Sequence, residues 1–427
     1  MSIKIALVAH YLPPNGWGGV ENYTVLVGKA LAKRGHSVCL YARGTRTDVP
    51  EGFEETDHRF GDGIEVTESH RGGGELRTER RLRLLQSDRF AAFLERTRPD
   101  VVHFQHLLYH SIDFPAQAKR AGAAVVLTIH DFWFDCPTVL RVDHTGAICD
   151  RVAGSNCLPC LWGGRKSRVL PAATLATLMR TPGLRVLTDL HPYIDELENW
   201  PRNSERSLRS VDIAISPSRW VAENLAAKGI SGPRLRVLDN GVAKPTDGTG
   251  DSPRSADGVL RFGLIATHPL KGGAVAVEAF RRLEGRPVRL LLFGKPPDGP
   301  LPSNVVVEGR YGREETDRVF RSFDVLIVPS LWYENAPLVI REAFARKRPV
   351  IASAIGGMKE SVREGVDGLL FPVGDAGALA ECVRRIADEP GLHTNLRAGI
   401  RPPIFEEEHV NELVEIYRQA LRSRREE

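Results

Sequence analysis

Hydrophobic residues in this chain come in short continuous runs separated by stretches of helical periodicity. Residues 3–10, IKIALVAH, form the first run, which ends in a loop carrying Pro13, Pro14, Gly16, Gly18 and Gly19. Val20, Tyr23, Val27, Ala30 and Leu31 then recur on one helical face, Gly35 stops the pattern, and HSVCLYAR opens the next run. Apolar run, loop, amphipathic helix, apolar run is the unit of a parallel α/β sheet. The same reading makes strands of 100–106 (DVVHFQH), 123–131 (AAVVLTIHD), 210–218 (SVDIAISPS) and 234–242 (RLRVLDNGV). Each ends in polar residues or Gly, where open α/β sheets bind ligands. Residues 243–258, AKPTDGTGDSPRSADG, hold almost no apolar side chains and read as a linker. After it the pattern resumes, with strands at LRFGLIAT, VRLLLFG, NVVVEG, FDVLIVPS, PVIAS and GLLFP. The last segment, 404–427, reads as a charged amphipathic helix with a frayed end. The expectation is an α/β protein of two doubly wound domains, 1–242 and 259–403, facing each other across a cleft. The final helix would pack back on the N-terminal domain.

Composition narrows the class. The chain has 427 residues, too many for one ordinary core. Its 42% hydrophobic and 26% charged residues are those of an ordinary globular protein. The net charge of +4, from 58 basic and 54 acidic residues, is too small to argue for nucleic acid and suits a small anionic ligand equally well. No stretch reaches the roughly 18 apolar residues that span a bilayer. The first apolar run has no basic lead and no small-residue cleavage site, so it reads as the first strand of a cytoplasmic protein. Residues 165–187 mix basic ends with an apolar middle. They would either lie peripherally on a membrane and meet a lipid-linked ligand there or, the plainer reading, bury their Leu face against the sheet. Residues 77–90 read as a basic, solvated helix face.

Four of the six cysteines, Cys136, Cys149, Cys157 and Cys160, fall within an insertion at about 136–165. A C-x2-C pair with two further thiols suits a tetrahedral structural zinc, and a segment this poor in apolar residues needs a staple. Disulfides and unlinked thiols are the alternatives. The insertion follows His130 and would wall the N-terminal domain's side of the cleft.

Two stretches carry candidate chemistry. NGWGGVEN, 15–22, places Gly18 and Gly19 at a strand-to-helix turn, where backbone N–H groups favour an anion such as phosphate. The spacing is not that of the dinucleotide fingerprint. SLWYENAPLVIREAFARKRPVIA, 330–352, places Glu334 in a turn and Glu342 in a helical pattern.

This second stretch resembles the E-x7-E signature of the retaining glycosyltransferases of family 4, which have the GT-B fold. GGVENYTVLVGKALAKRGHSV, PDVVHFQH, TIHDFW, SPSRWVAENL, VLDNGV, LKGG and IGGMKESVREGVDGLLFPVGD fall in the family's order over nearly the whole chain. The resemblance implies transfer of a sugar from a nucleotide-diphospho-sugar to an acceptor hydroxyl. Carboxylates suit this task because they accept paired hydrogen bonds from sugar and ribose hydroxyls. It implies that Glu334 holds the donor sugar, Glu342 the ribose, and that Asn335, Ala336, Pro337 and Leu338 cradle sugar and phosphate. Lys271 would stabilise the leaving diphosphate, Gly18 and Gly19 would approach the same phosphates, and His130 would contact the donor sugar. Asp131 would orient His130 or the acceptor; His103 and His106 are weaker candidates. No metal or other cofactor is expected for the chemistry. Where the family often has an Arg before the Lys, this chain has Thr267 and His268. The competing functions are a nucleotide-sugar epimerase or hydrolase, a phosphorylase-like enzyme, and a non-catalytic nucleotide-sugar-binding partner.

Overall fold

The structure is a computed structural model that describes residues 2–16, 18–46, 52–60, 63–72, 87–162, 191–227, 234–246, 257–266 and 268–425. Thr267, the segment 165–187, most of 77–90 and the linker residues 247–256 lie outside the described residues. The chain divides into two units, Met1–Asp239 with Glu406–Glu427, and Asn240–Phe405.

In the first unit the apolar runs become β1 (Lys4–Ala9), β2 (Ser37–Arg43), β5 (Val101–Phe104), β6 (Ala124–Thr128), β7 (Ile213–Ser216) and β8 (Arg234–Val237). The sheet runs β3-β4-β2-β1-β5-β6-β7-β8. Its strands pair in parallel apart from β3 (Gly52–Phe60) with β4 (Ile64–Gly72). Those two strands are absent from the sequence reading. GFEETDHRF and IEVTESHRG interleave charges instead of running apolar, as befits an antiparallel pair at a sheet edge. The chain goes from β1 outward to β2 and later returns to the other side of β1 with β5, so the crevice expected of an open sheet lies beyond the ends of β1 and β5.

The Gly19–Lys33 helix buries Tyr23, Val27, Ala30 and Leu31, the apolar stripe of the sequence. Against it and β6 packs the Glu406–Arg425 helix, which buries Val410, Leu413, Tyr417 and Ala420 at helical spacing. Polar groups fix the docking. The Tyr23 hydroxyl lies 2.5 Å from His409 Nε2, and the Tyr417 hydroxyl lies 2.7 Å from His103 Nδ1. His103 Nε2 in turn meets Thr128 Oγ1 at 2.8 Å. All five side chains are buried, so each bond spares a desolvated polar group.

The second unit is a parallel sheet in the order β11-β10-β9-β12-β13-β14. Its strands are β9 (Leu260–Ala266), β10 (Val288–Gly294), β11 (Val305–Gly309), β12 (Val325–Val328), β13 (Val350–Ser353) and β14 (Gly368–Phe371). Alternate residues feed two separate cores. Leu290, Leu292, Val325 and Ile327 join one; Leu291, Phe293, Leu326 and Val328 join the other. Burial on both faces explains why these strands read as unbroken apolar runs. At Gly263 a Cβ would fall 2.3 Å from the Phe323 ring, so only glycine lets that ring lie on β9. The chain enters and leaves this unit side by side: Val242 N–H donates to Ile404 O at 3.2 Å, and Val242 bridges to Phe405.

Candidate active site

In the second unit, β12 ends at Val328 and a turn through Pro337 leads into the Leu338–Ala345 helix. Glu334 sits in that turn, 9% exposed. Three donors converge on its Oε1: Lys271 Nζ at 2.6 Å, Ser330 Oγ at 2.6 Å and Trp332 Nε1 at 3.0 Å. Among the described residues none of these reaches Oε2. Burial alone would raise the Glu334 pKa, but the Lys271 charge and the three bonds outweigh it and hold the group below the usual carboxylate value. Glu334 is therefore an anion with one oxygen fixed and one to offer.

Backbone geometry puts the partners there. Lys271 ends a short turn, Pro269–Lys271, and Gly272 follows with φ +77°. A Cβ on Gly272 would lie 1.8 Å from Pro329 O, so the loop carrying Lys271 closes on the loop carrying Glu334 only with glycine at this place. Leu331 N–H donates to Leu270 O at 2.8 Å and ties the two loops. On the other side Gly357 N–H donates to Glu334 O at 2.9 Å. His268 caps the Lys271 turn by accepting from Leu270 N–H at 3.2 Å through Nδ1, and its ring stacks on Trp332 at 6.4 Å. Lys271 Nζ lies 5.4 Å from the same indole, a cation–π contact.

Of the residues singled out in the sequence, the structure thus brings together His268, Lys271 and Glu334. Asn335, Ala336 and Pro337 are buried beside them, Pro337 at the helix N-cap, and Leu338 opens the helix partly exposed. Ser330 and Trp332 were missed, although both stand in the quoted stretch; their chemistry shows only once the turn folds them onto Glu334. Glu342 lies a helix turn onward in a different setting. Burial pushes its pKa up, partly offset by the Arg313 and Arg346 charges, and it in turn adds to the rise at partly buried Tyr311.

In the first unit, His10 follows β1, Gln105 and His106 follow β5, and His130 and Asp131 follow β6. These are neighbouring strand ends. His106 Nδ1 accepts from Leu108 N–H at 2.8 Å, so its Nε2 carries the proton that it donates to Asp131 Oδ2 at 2.6 Å. Asp131 Oδ1 accepts from Trp133 N–H at 2.9 Å. His130 Nε2 lies 2.9 Å from Gln105 Oε1, and its ring stands edge-on to Tyr23 at 4.9 Å. Burial pushes the His130 pKa down to about 3, so the ring is neutral at ordinary pH. His103 faces Tyr417 and Thr128 inside the core.

Gly18 is the N-cap of the first helix and Gly19 its first residue. The loop closes on Glu21: a Cβ would lie 2.5 Å from its carboxylate at Gly16 and 2.6 Å at Gly18. Glu21 also pairs with His10 at 3.2 Å. Burial raises its pKa, but the bond and charge of His10 outweigh that and lower it.

Cys136, Cys149, Cys157 and Cys160 are free thiols. The bond from Cys149 N–H to Arg141 O folds the insertion back on itself. Burial pushes Cys157 up to about 12, with the other three thiols adding to the rise. Among the described residues no group of three or more His, Cys, Asp or Glu is arranged to hold a metal, and no helix is long and apolar enough to cross a membrane.

Comparison with known proteins accounts for both units. The family model "Glycosyltransferase Family 4" matches residues 17–156, and "Glycosyl transferases group 1" matches 257–389. The D-inositol 3-phosphate glycosyltransferase of Acidothermus cellulolyticus is 25% identical over 99% of this chain and 91% of its own. The lipopolysaccharide core biosynthesis glycosyltransferase LpsE of Rhizobium meliloti is 28% identical over 44% of this chain and 57% of its own. Among solved structures, sucrose-phosphate synthase from Thermosynechococcus elongatus superposes with a TM-score of 0.64 at 19% identity, covering 98% of this chain and 99% of its own. Anabaena HepE, solved with UDP and glucose, gives 0.60 at 15%, covering 97% and 99%. At these identities the structures speak to the fold, which is GT-B. The two family matches, one in each unit, make this chain a member of the family 4 glycosyltransferases, an enzyme that moves a sugar from a nucleotide-sugar donor.

Proposed function

We propose that transfer occurs with retention and that the Lys271–Glu334 cluster holds the donor. The observation that carries this is the convergence of Lys271, Ser330 and Trp332 on one oxygen of Glu334. An anion so held keeps its second oxygen for sugar hydroxyls, and Lys271 remains close enough to stabilise the charge that develops on the leaving diphosphate. His268, with Nδ1 used as a cap, presents Nε2–H where an Arg would otherwise stand. Glu342 takes the ribose hydroxyls, as the family resemblance implies. In the reaction the bond from the anomeric carbon to the diphosphate oxygen breaks. The acceptor oxygen bonds to the same face, and its proton passes to the departing phosphate. Neutral His130 serves as a hydrogen-bonding group to the donor sugar. The relatives named for an inositol phosphate and for lipopolysaccharide core support a hydroxylated acceptor.

Thermal unfolding with UDP, GDP, dTDP and ADP, each bare and sugar-linked, tests the reading. One nucleotide should stabilise the protein, by about 2.7 kcal/mol at a hundredfold excess over Kd, and more when sugar-linked. No shift with any of the eight overturns it.

A further inference from the structure

The His130 ring is set by Gln105 and by Tyr23. Its Nε2 lies 2.9 Å from Gln105 Oε1, and it meets the Tyr23 ring edge-on, with centroids 4.9 Å apart and planes at 67°. Tyr23 is in turn held from behind. His409, on the Glu406–Arg425 helix, stands edge-on to it at 5.4 Å and 69°, and its Nε2 lies 2.5 Å from the Tyr23 hydroxyl. Three rings therefore stand in series. His409 and Tyr23 are buried, and His130 at the head is partly exposed just beyond β6. The hydrogen bond in the series joins residues 386 positions apart.

Docking a helix does not require this chemistry. Replacing both partners of a buried hydrogen bond by apolar groups of the same shape is often nearly neutral, so apolar side chains would dock the helix as well. What the bond adds is direction. Burial keeps the Tyr23 phenol protonated and the His409 ring neutral. The bond forms with either imidazole tautomer, because a hydroxyl both donates and accepts. It pins the phenol tip at one point, and the ring between that point and His130 cannot slide away. The same helix carries a matched pair for comparison. The Tyr417 hydroxyl lies 2.7 Å from His103 Nδ1, and the two rings are edge-on at 5.5 Å and 74°, also buried. His103 spends its other nitrogen on Thr128 Oγ1 at 2.8 Å. One Tyr–His pair thus ends on β6 within the core, and the other ends on His130.

We propose that His409 is a positioning residue for sugar transfer, one that fixes the plane of the His130 ring through Tyr23. The inference rests on the reading of His130 as a hydrogen-bonding group to the donor sugar and adds how that group is aimed. Fully buried, His409 acts through Tyr23 alone. The effect is worth having, because a misplacement of about 1 Å at a reacting centre can cost about a hundredfold in rate.

Two readouts on the full chain test this without an acceptor. In ¹H–¹³C spectra with histidine labelled at Cε1, the His130 signal is assigned by its loss in His130→Gln. It should move by more than its line width in His409→Leu and in Tyr23→Phe, which keeps the ring, and stay in place in Tyr417→Phe. The second readout is the affinity gained when a stabilising nucleotide carries its sugar. His130→Ala sets the full loss of that gain. His409→Leu and Tyr23→Phe should reduce it about three- to tenfold, the worth of one neutral hydrogen bond, with bare nucleotide bound as before. Tyr417→Phe should keep it. The proposal is overturned if the His130 signal stays in place in both His409→Leu and Tyr23→Phe, or if Tyr417→Phe moves it as far. It is equally overturned if His130→Ala loses the gain and the other two variants keep it. Should His130→Ala keep the gain, or no nucleotide bind, the reading of His130 or of the donor site has failed, and the spectra alone decide whether His409 aims the ring. Should His409→Leu not fold, Tyr23→Phe against Tyr417→Phe decides.

Discussion

The two units hold their polar groups in opposite ways. At Glu334 donors outnumber the acceptor: three of them share one oxygen. Beyond the ends of β1, β5 and β6 three nitrogens, His10 Nδ1, Gln105 Nε2 and Trp133 Nε1, have no partner among the described residues. A site of the first kind is preorganised, because its charge is already placed before substrate arrives. A site of the second kind leaves buried polar atoms to be met by water or ligand. The difference also shows in titration. The second unit's centre is a paired carboxylate held anionic, whereas the first unit buries neutral imidazoles: His130 and His110 pushed down to about 3, His409 to about 4, and His103 well below its usual value, all by burial.

The largest test of this contrast is Glu334→Ala. It leaves Lys271, Ser330 and Trp332 without their acceptor and should lower kcat/KM about 10³-fold, with folding verified by circular dichroism. A loss under tenfold would mean that the convergence on Oε1 serves structure alone.

Acid should distinguish the units next. The four buried imidazoles bind protons near pH 6.5 when unfolded but far lower when folded. Their contribution is complete above pH 6.5 and is lost as pH falls toward 3, at about 1.4 kcal/mol per pH unit for each. Glu334, with its pKa lowered, gives stability that is present above about 4.5 and is lost only below it. Hydrogen exchange by mass spectrometry between pH 7 and 4.5 should therefore show Met1–Asp239 loosening before Asn240–Phe405. The reverse order would refute the assignment of neutral imidazoles.

The smallest effect sharpens the first. Trp332→Phe keeps a ring against His268 and Lys271 but removes one of the three bonds to Glu334, and should cost about tenfold in kcat/KM.

Much of the fold was legible because burial on both faces writes parallel strands as apolar runs, as at VRLLLFG and VLIV. β3 and β4 were not, since a half-solvated edge pair looks like any polar segment. Glu334 and Lys271 were legible from spacing and resemblance. Ser330 and Trp332 were not, because nothing in their order says that both fold onto one oxygen. The pairing of Glu21 with His10 was equally hidden: the glycines before Glu21 announce a close approach without saying that the approaching anion belongs to the protein itself. The apolar stripe of the last helix was visible, but its contacts with Tyr23 and His103 join residues nearly the whole chain apart.

That last helix sets the order in which the protein can be made. Asn240–Phe405 is one uninterrupted piece and can fold as soon as it clears the ribosome. The unit begun at the N-terminus must wait for His409 and Tyr417, with the Tyr23 hydroxyl and His103 Nδ1 unmet until they arrive. What is translated first is finished last, and a released chain truncated after Phe405 should hold a folded second unit beside an unfinished first one.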